Sequence, residues 1–154
     1  MAIKNGGRMP IMGILRGKET EENTMKVFTL VKKDGTFVRQ EREIPDENVL
    51  AFMYDIIGCR YVGATEFTHR NISYTVWYDD EFLLVDRPVA TLIIGDLKPD
   101  AFTLLCGNLM FTRTDEEGGT VGLTAKDISN LWEYTDINSI RLHMAFRRGL
   151  IRRA

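Results

Sequence analysis

The sequence lacks an apolar run long enough to cross a membrane, since a spanning helix needs about 20 consecutive apolar residues. A secretion signal needs an unbroken apolar stretch of roughly 7–15 residues. The apolar residues near the start are instead interrupted by Gly6, Gly7, Pro10 and Gly13. We therefore expect a protein that neither spans a membrane nor is exported, and its expected location is the cytoplasm.

Cysteine and histidine are scarce, with two of each in the chain. Cys59 and Cys106 follow apolar residues, which is typical of free, buried thiols in a protein without a secretion signal. His69 and His143 lie far apart, and neither has a second ligand at a spacing that binds zinc. Cys59 with either histidine would make a thiol nucleophile and its base, but no neighbouring residue favours that pairing. The sequence therefore predicts no catalytic residue, no metal site and no cofactor.

Phosphate-binding loops are missing as well. Gly17-Lys18 lacks the upstream glycine of a P-loop, and Gly118-Gly119 does not connect a strand to a helix. The absence of a catalytic motif favours a binding protein over an enzyme. A small enzyme or a small-molecule-binding sensor stays an alternative hypothesis, because a deep pocket with converging polar groups cannot be identified from sequence.

The sequence does contain enough apolar side chain for one core, together with an uneven distribution of charge. Hydrophobic residues make up 44% of the 154 residues, which fits one ordinary domain. Of 20 basic and 22 acidic residues, five arginines and no acid fall within 138–154, so residues 1–137 hold 15 basic and 22 acidic residues. The five are Arg141, Arg147, Arg148, Arg152 and Arg153.

This basic end has three interpretations. Its arginines could contact nucleic-acid phosphates, or they could contact an acidic protein partner, including a second copy in a homodimer. They could also be a solvated terminus that complements the helix dipole. Among the aromatic residues only Phe146 lies there, which argues against a single-strand binder that stacks bases.

Two acidic turns are the other charged feature, and they consist of Asp79, Asp80, Glu81, Asp115, Glu116 and Glu117. Clustered carboxylates could bind Mg²⁺ or act as an acid–base pair. Neighbouring acids in a tight turn between apolar strands usually point to water in different directions, so solvated turns are the simpler interpretation. As a functional alternative, these acids could contact the nucleic-acid channel of a nuclease.

Short segments rich in β-branched and aromatic residues predict a sheet. The strands are expected at 25–31, 37–44, 61–68 and 73–78, at 82–85 as a short buried strand, and at 102–113 with an interruption at Gly107. Asp34-Gly35 supplies the positive φ angles of a tight hairpin turn. Residues 115–119 predict a second hairpin turn, while 88–99 fits either a strand or a helical turn.

Apolar residues at helical spacing predict three helices. The first helix is expected at 46–57, with Asp46 as its N-cap and Gly58 at its end. The second is expected at 125–134 with Thr124 as its N-cap, and the third is expected to begin at Asn138 or Ser139. In the second helix, Asp127 follows Thr124 by three residues and makes an acidic variant of the capping box.

These elements predict an α+β fold with a mainly antiparallel sheet and two or three helices packed on one face. The domain is expected to cover 24–137. A flexible N-terminal arm is expected over 1–23, and a basic C-terminal helix or tail over 138–154, packed on the domain or extending from it.

Four segments have the order and spacing of a known family. They are AFMYDIIGC at 51–59, SYTVWYDDE at 73–81, LCGNLMF at 105–111 and DEEGGTVGLTAKDI at 115–128. On these segments, the stretch from about Glu43 to Asp127 resembles the domain-of-unknown-function 3846 family. Arg87-Pro88 stands where members of that family often have Asn-Pro.

The resemblance implies no assigned activity and no catalytic residues. It implies an accessory protein of phages, plasmids and conjugative elements of Firmicutes, often encoded beside anti-restriction genes. We therefore expect a non-enzymatic protein that inhibits a host defence system, of the anti-CRISPR or anti-restriction type, by binding a protein such as a defence nuclease. A nucleic-acid-binding protein that uses the arginine-rich end is the alternative hypothesis.

Overall fold

The computed structural model describes residues 23–84 and 88–152. Within these ranges the strands are β1 Thr24–Lys33, β2 Thr36–Pro45, β3 Val62–His69, β4 Ile72–Asp79, β5 Ala90–Gly95, β6 Phe102–Cys106, β7 Leu109–Thr114 and β8 Thr120–Val121. The α-helices are α1 Val49–Ile57 and α2 Ala125–Arg147. Apart from Asn23, the arm expected over 1–23 lies outside the described residues.

Five strands form the central sheet in the order β2-β1-β7-β4-β3, and β8 adds a short pairing to β7. Every neighbouring pair in this sheet is antiparallel. Strands β5 and β6 form a separate antiparallel sheet of two strands. The α+β class and the mainly antiparallel sheet predicted from the sequence are therefore confirmed.

Local turn chemistry sets two hairpins of the central sheet. Asp34 and Gly35 have φ angles of 51° and 86°, and they join β1 to β2 as the sequence predicts. Arg70 and Asn71, with φ angles of 53° and 64°, do the same between β3 and β4. Two central residues with positive φ match the right-handed twist of the flanking strands, so these turns favour antiparallel pairing.

The two helices pack on opposite faces of the central sheet. Phe28 of β1 and Phe111 of β7 are paired in register, and both pack in the cluster that contains Leu131 of α2. Val27 points to the other face, where it packs in the cluster that contains Met53 of α1. Successive side chains of a strand alternate between faces, and β1 is apolar on both. Each face therefore takes a helix, whereas the sequence favoured a single face.

Helix α1 begins later than the sequence predicts. Pro45 still belongs to β2, where it pairs with Thr24, and the backbone N–H of Asp46 donates to Asn23 at 3.1 Å. Asp46 is therefore not the N-cap; Asn48 holds that position, in a left-handed conformation and without a side-chain capping bond. The predicted end is confirmed, because Gly58 follows the last helical residue with a φ of 75°.

Two strand predictions are wrong. The segment Phe82–Leu84 is a 3₁₀ turn rather than a buried strand. The single strand expected over 102–113 is two strands in different sheets, β6 beside β5 and β7 between β1 and β4. Gly107, with a φ of 81°, is where the chain passes between them, and its N–H donates to Val89 at 2.9 Å. The ambiguous segment 88–99 contains strand β5.

Helix α2 is continuous across the break predicted between the second and third helices. Thr124 and Asp127 form the expected capping box at its start. Asn138 lies in the middle of the helix with 1% of its surface exposed, so it caps no helix. Beyond α2 the chain turns at Gly149, and Ile151 packs against β5. The second half of α2 and the following turn therefore pack on the small sheet.

Candidate functional site

A cleft lies where the end of α1 meets the end of β4. The side-chain amide of Asn108 donates to the carbonyls of Ile56 and Ile57 at 3.4 and 3.3 Å, and its oxygen accepts from the N–H of Lys32 at 2.9 Å. These bonds tie the last turn of α1 to the start of β7. Because β4 runs antiparallel to β7, the end of β4 at Asp79 lies at the same end of the sheet as the start of β7.

The cleft is open to solvent and has a volume of about 600 Å³. We call it the acidic cleft, and its lining residues are Tyr54, Asp55, Gly58, Cys59, Arg60, Asp79, Glu81 and Leu84. Three of these side chains are carboxylates and one is a guanidinium. A cleft lined in this way attracts positively charged groups.

Two interactions organise the charges of the acidic cleft. The guanidinium of Arg60 lies 3.1 Å from the carboxylate of Glu81, although the Arg60 side chain is 78% exposed. The Asp79 carboxylate accepts a hydrogen bond of 2.9 Å from the backbone N–H of Glu81, which holds the turn after β4 in place. Asp55 has an exposed position in α1, and Asp80 extends the acidic surface beyond the cleft.

Exposed apolar groups flank the acids. Leu84 lines the cleft with 78% of its surface exposed, and the neighbouring Tyr61 is 58% exposed. The guanidinium carbon of Arg60 lies 5.7 Å from the centre of the Tyr61 ring. Large exposed apolar side chains with polar residues around them are characteristic of protein-binding surfaces.

The thiol in the acidic cleft is not activated as a nucleophile. Burial raises the pKa of Cys59 above its ordinary value of 9.0, and the negative charge of Asp79 raises it further. Burial also raises the pKa of Cys106. Nucleophilic cysteines need the opposite shift, because the thiolate is the reactive form. Both cysteines are free, as the sequence predicts; Cys106 is buried as expected, whereas Cys59 is only half-buried.

The two acidic turns predicted from the sequence lie at opposite ends of the central sheet. In the antiparallel pair β4–β7, Tyr74 is opposite Arg113 and Trp77 is opposite Met110, so the turn after β4 and the turn after β7 point in opposite directions. The first turn, 79–81, borders the acidic cleft. In the second turn, the Asp115 carboxylate accepts bonds of 3.0 and 2.7 Å from the N–H groups of Glu117 and Gly119. The structure therefore does not bring the six acids together.

The five arginines of the basic end divide into different environments. Arg141 donates to the carbonyls of Ile93 and Gly95, so its guanidinium stabilises the edge of β5. Arg147, Arg148 and Arg152 are exposed at and beyond the end of α2. Arg153 lies outside the described residues.

His69 makes a hydrogen bond to a carboxylate and does not belong to a group of metal ligands. Its Nε2 atom lies 2.8 Å from the Glu133 carboxylate, which also accepts bonds of 2.6 and 2.7 Å from Arg70. His143 is exposed on α2. In the described parts of the chain, no three side chains of types that bind metals are close enough to hold an ion together.

A buried polar network lies under the start of α2. The Tyr74 hydroxyl donates to the Asp127 carboxylate at 2.9 Å and accepts from the Asn130 amide at 3.2 Å. Arg113 lies 3.2 Å from the same carboxylate. Tyr74 has no exposed surface and Asp127 has 1%, so this network stabilises the start of α2 from within the fold.

Sequence reasoning missed the apolar part of the site. Leu84 belongs to the segment predicted as a buried strand, yet it is among the most exposed apolar residues described. Tyr61 was predicted to begin a strand. The acids Asp79 and Glu81 were predicted, because an acidic turn can be recognised locally. In the sequence, the acidic turn Asp79-Asp80-Glu81 directly before Phe82 was the signal that the segment Phe82–Leu84 lies at the surface.

Comparison with known proteins identifies one family. The model of the domain of unknown function (DUF3846) matches residues 25–136. No curated protein and no solved structure matches the chain. Neither described helix is long and apolar enough to cross a membrane.

Proposed function

The chain belongs to the DUF3846 family, and from that premise we propose that it is a non-enzymatic accessory protein of a phage or mobile genetic element. It inhibits a host defence complex, of the anti-CRISPR or anti-restriction type, by binding a protein in the cytoplasm. The family resemblance supplies the genetic setting of this proposal. The acidic cleft supplies the contact surface.

The observation that carries the proposal is the exposure of Leu84 beside carboxylates. An apolar side chain with 78% of its surface in water gains free energy when a partner covers it. Asp55 and Asp79, in the same cleft, favour a partner with lysine and arginine around its own apolar contact. The nucleic-acid channel of a nuclease has that chemistry. The open shape of the cleft also favours a macromolecule over a small molecule, which proteins usually enclose.

Nuclease assays test this function directly. Purified CRISPR effector nucleases and restriction endonucleases would be incubated with the protein, and DNA cleavage would be measured. We expect at least one nuclease to be inhibited. The variant Asp55→Lys/Asp80→Lys should weaken that inhibition by about tenfold or more, because it replaces attraction with repulsion at the cleft.

A matched control uses the other acidic turn. Glu116→Lys/Glu117→Lys changes the net charge by the same amount at the opposite end of the sheet, and it should leave inhibition unchanged. Equal loss in both double variants would assign the effect to total charge rather than to the cleft. A panel in which no nuclease is inhibited would reject the function.

Nucleic-acid binding is the second candidate, favoured by the exposure of Arg147, Arg148 and Arg152 near one end of α2. Fluorescence anisotropy with labelled DNA or RNA tests it. Affinity should fall steeply as salt increases, and alanine at these three positions should abolish binding. Binding that is unchanged in the triple variant would exclude this interface.

A further inference from the structure

The sequence before the described domain has the chemistry that the acidic cleft attracts. Residues 1–18 contain no acid and four basic residues, which are Lys4, Arg8, Arg16 and Lys18. Five large apolar residues lie between the two arginines, and they are Met9, Ile11, Met12, Ile14 and Leu15. We call residues 8–18 the basic–apolar segment. A surface that combines carboxylates with exposed apolar side chains is complementary to it in both respects.

The domain itself neutralises only part of the charge of the acidic cleft. Glu81 is paired with Arg60 at 3.1 Å. The other acids at this surface are Asp55, Asp79 and Asp80, and no lysine or arginine of residues 23–84 and 88–152 forms an ion pair with them. The Asp79 carboxylate accepts a backbone N–H, which leaves its charge in place. These three charges therefore remain available to a cationic segment.

The basic–apolar segment is long enough to reach the acidic cleft. Asn23 lies at the start of β1, where its carbonyl accepts from the N–H of Asp46. Lys32 lies nine residues further along the chain, and Asn108 ties it to the last turn of α1 beside the cleft. Nine residues of a strand cover about 30 Å. Residues 8–12 stand 11 to 15 positions before Asn23, and an extended chain of that length spans about 36–50 Å.

We propose that residues 8–18 of this chain dock in its own acidic cleft. The apolar side chains of the segment cover Leu84 and Tyr61, and its basic side chains face Asp55, Asp79 and Asp80. A segment tethered to its binding site has an effective concentration of the order of 1 mM. A contact with a dissociation constant well below that value therefore keeps the cleft occupied.

Charge separates the acidic cleft from a second exposed apolar surface, on the outer side of α2. Ile137 and Ile140 are exposed there. The Glu133 carboxylate before them is already bound through both oxygens by Arg70, and the exposed Arg148 follows them. That surface therefore offers a basic segment no free carboxylate, whereas the cleft offers three.

Docking makes the segment a competitor of any protein that binds the acidic cleft. The apparent affinity of such a partner is reduced by the fraction of clefts that are open. Arg8→Glu/Arg16→Glu should open the cleft and strengthen nuclease inhibition by about threefold or more. This consequence rests on the proposed function, but the two tests of docking below need no nuclease. A chain that passes both and inhibits no nuclease would reject that function and keep the docking.

Disulfide trapping in the full chain tests where the segment lies. Cys59 lines the cleft, so Met12→Cys should form an intramolecular disulfide with it under mild oxidation, detected by mass spectrometry of the digested protein. Adding Asp55→Lys/Asp80→Lys should lower the yield several-fold, because it replaces attraction with repulsion. Adding Glu116→Lys/Glu117→Lys, the same charge change at the other acidic turn, should leave the yield unchanged.

Two further variants exclude random collision and the other surface. Ala2→Cys has a longer tether and lies outside the segment, so it should cross-link to Cys59 less than Met12→Cys does. Ile140→Cys, in a Met12→Cys chain that carries Cys59→Ser, reports contact with α2. Equal yields at positions 2 and 12, a higher yield at position 140 than at position 59, or a disulfide between two chains would overturn the proposal.

Fluorescence anisotropy with a labelled peptide of residues 8–18 tests the competition. The Arg8→Glu/Arg16→Glu chain should bind this peptide about tenfold more tightly than the native chain, whose own segment occupies the cleft. Arg147→Glu/Arg152→Glu makes the same change of net charge outside the segment and should bind the peptide as the native chain does. No binding by any of the three proteins, or equal binding by all three, would contradict the proposal.

Discussion

The side-chain amide of Asn138 and the backbone of Ile93 form two hydrogen bonds, each 2.8 Å long. The amide oxygen accepts from the N–H of Ile93, and the amide nitrogen donates to its carbonyl. Strand β5 has only β6 as a strand neighbour within its sheet. Asn138 therefore takes the position of a second neighbour: it satisfies the buried N–H of Ile93, and it shares the Ile93 carbonyl with Arg141.

Asn138→Ala should destabilise the protein strongly. It leaves the buried N–H of Ile93 without its partner, which costs about 1–3 kcal/mol, and it removes one of the two donors to the Ile93 carbonyl, which keeps its bond to Arg141. We expect the free energy of unfolding, measured by urea denaturation, to fall by roughly 2–4 kcal/mol. Ser139→Ala, at the exposed neighbouring position, should change it by less than about 0.5 kcal/mol. Similar stabilities for the two variants would show that the amide contact contributes little.

Thr124→Ala should lower the free energy of unfolding by about 1 kcal/mol. The Thr124 hydroxyl accepts from the N–H of Asp127 at 3.2 Å, and alanine removes that bond at the start of α2. Thr124→Ser keeps a hydroxyl and should keep most of the stability. If Thr124→Ser lowers the free energy of unfolding as much as Thr124→Ala, the loss arises from the methyl group of threonine rather than from the capping hydrogen bond. Thermal or urea unfolding of the three proteins decides this.

The stability of the protein should depend on the ionisation of Asp127. Burial alone would raise the pKa of this carboxyl, but bonds from Thr124 and Tyr74 and the charge of Arg113 hold it below its ordinary value of 3.8. A pKa that is lower in the folded state contributes stability above the unfolded value, and that stability is lost as pH falls through the folded value. The acid limb of the stability curve should therefore lie below about pH 4.

Asp127→Asn removes this dependence. The variant should lose about 1.5–3 kcal/mol at neutral pH, as expected for hydrogen bonds to a charged group. Its stability between pH 5 and 2 should also change less than that of the native protein. Tyr74→Phe keeps the carboxylate but removes one donor, so the acid limb should move to higher pH. Parallel pH curves for the native protein and Asp127→Asn would contradict the assignment.

The Cys59 thiol should react slowly with iodoacetamide, because its pKa lies above 9.0. Asp79→Asn removes the nearby negative charge but keeps an oxygen that accepts from the N–H of Glu81. The pKa of Cys59 should then fall, and alkylation at pH 8 should become faster. Asp115→Asn makes the same change at the distant acidic turn and should have no effect. Mass spectrometry of the alkylated peptides measures both rates.

Several elements were predictable because their causes lie within a few residues. The Asp34-Gly35 turn depends on two positive φ angles that these residues adopt easily. Gly58 ends α1 for the same reason, and Thr124 begins α2 through a bond to a residue three positions away. For the site, the acids of the turn at 79–81 were predicted in the same way.

Other elements depend on contacts between residues far apart in the sequence. Gly107 looks like an interruption within one strand, but β6 pairs with β5 while β7 pairs with β1 and β4. Asn138 looks like a helix cap, but its amide is satisfied by Ile93 within a continuous helix. Local patterns cannot distinguish these alternatives, because the deciding hydrogen-bond partner lies elsewhere in the chain.

The sequence by itself determined the fold class, the turns, the capping box at the start of α2, the two free thiols and the separation of charge between the body and the basic end. Only the tertiary structure decided which of those charges share a surface. In the folded protein the two acidic turns lie at opposite ends of the sheet, Leu84 is exposed, and Arg141 donates hydrogen bonds to strand β5. The physical reason is that turns and caps are short-range interactions, whereas the composition of a surface depends on which segments the sheet pairing and the core bring together.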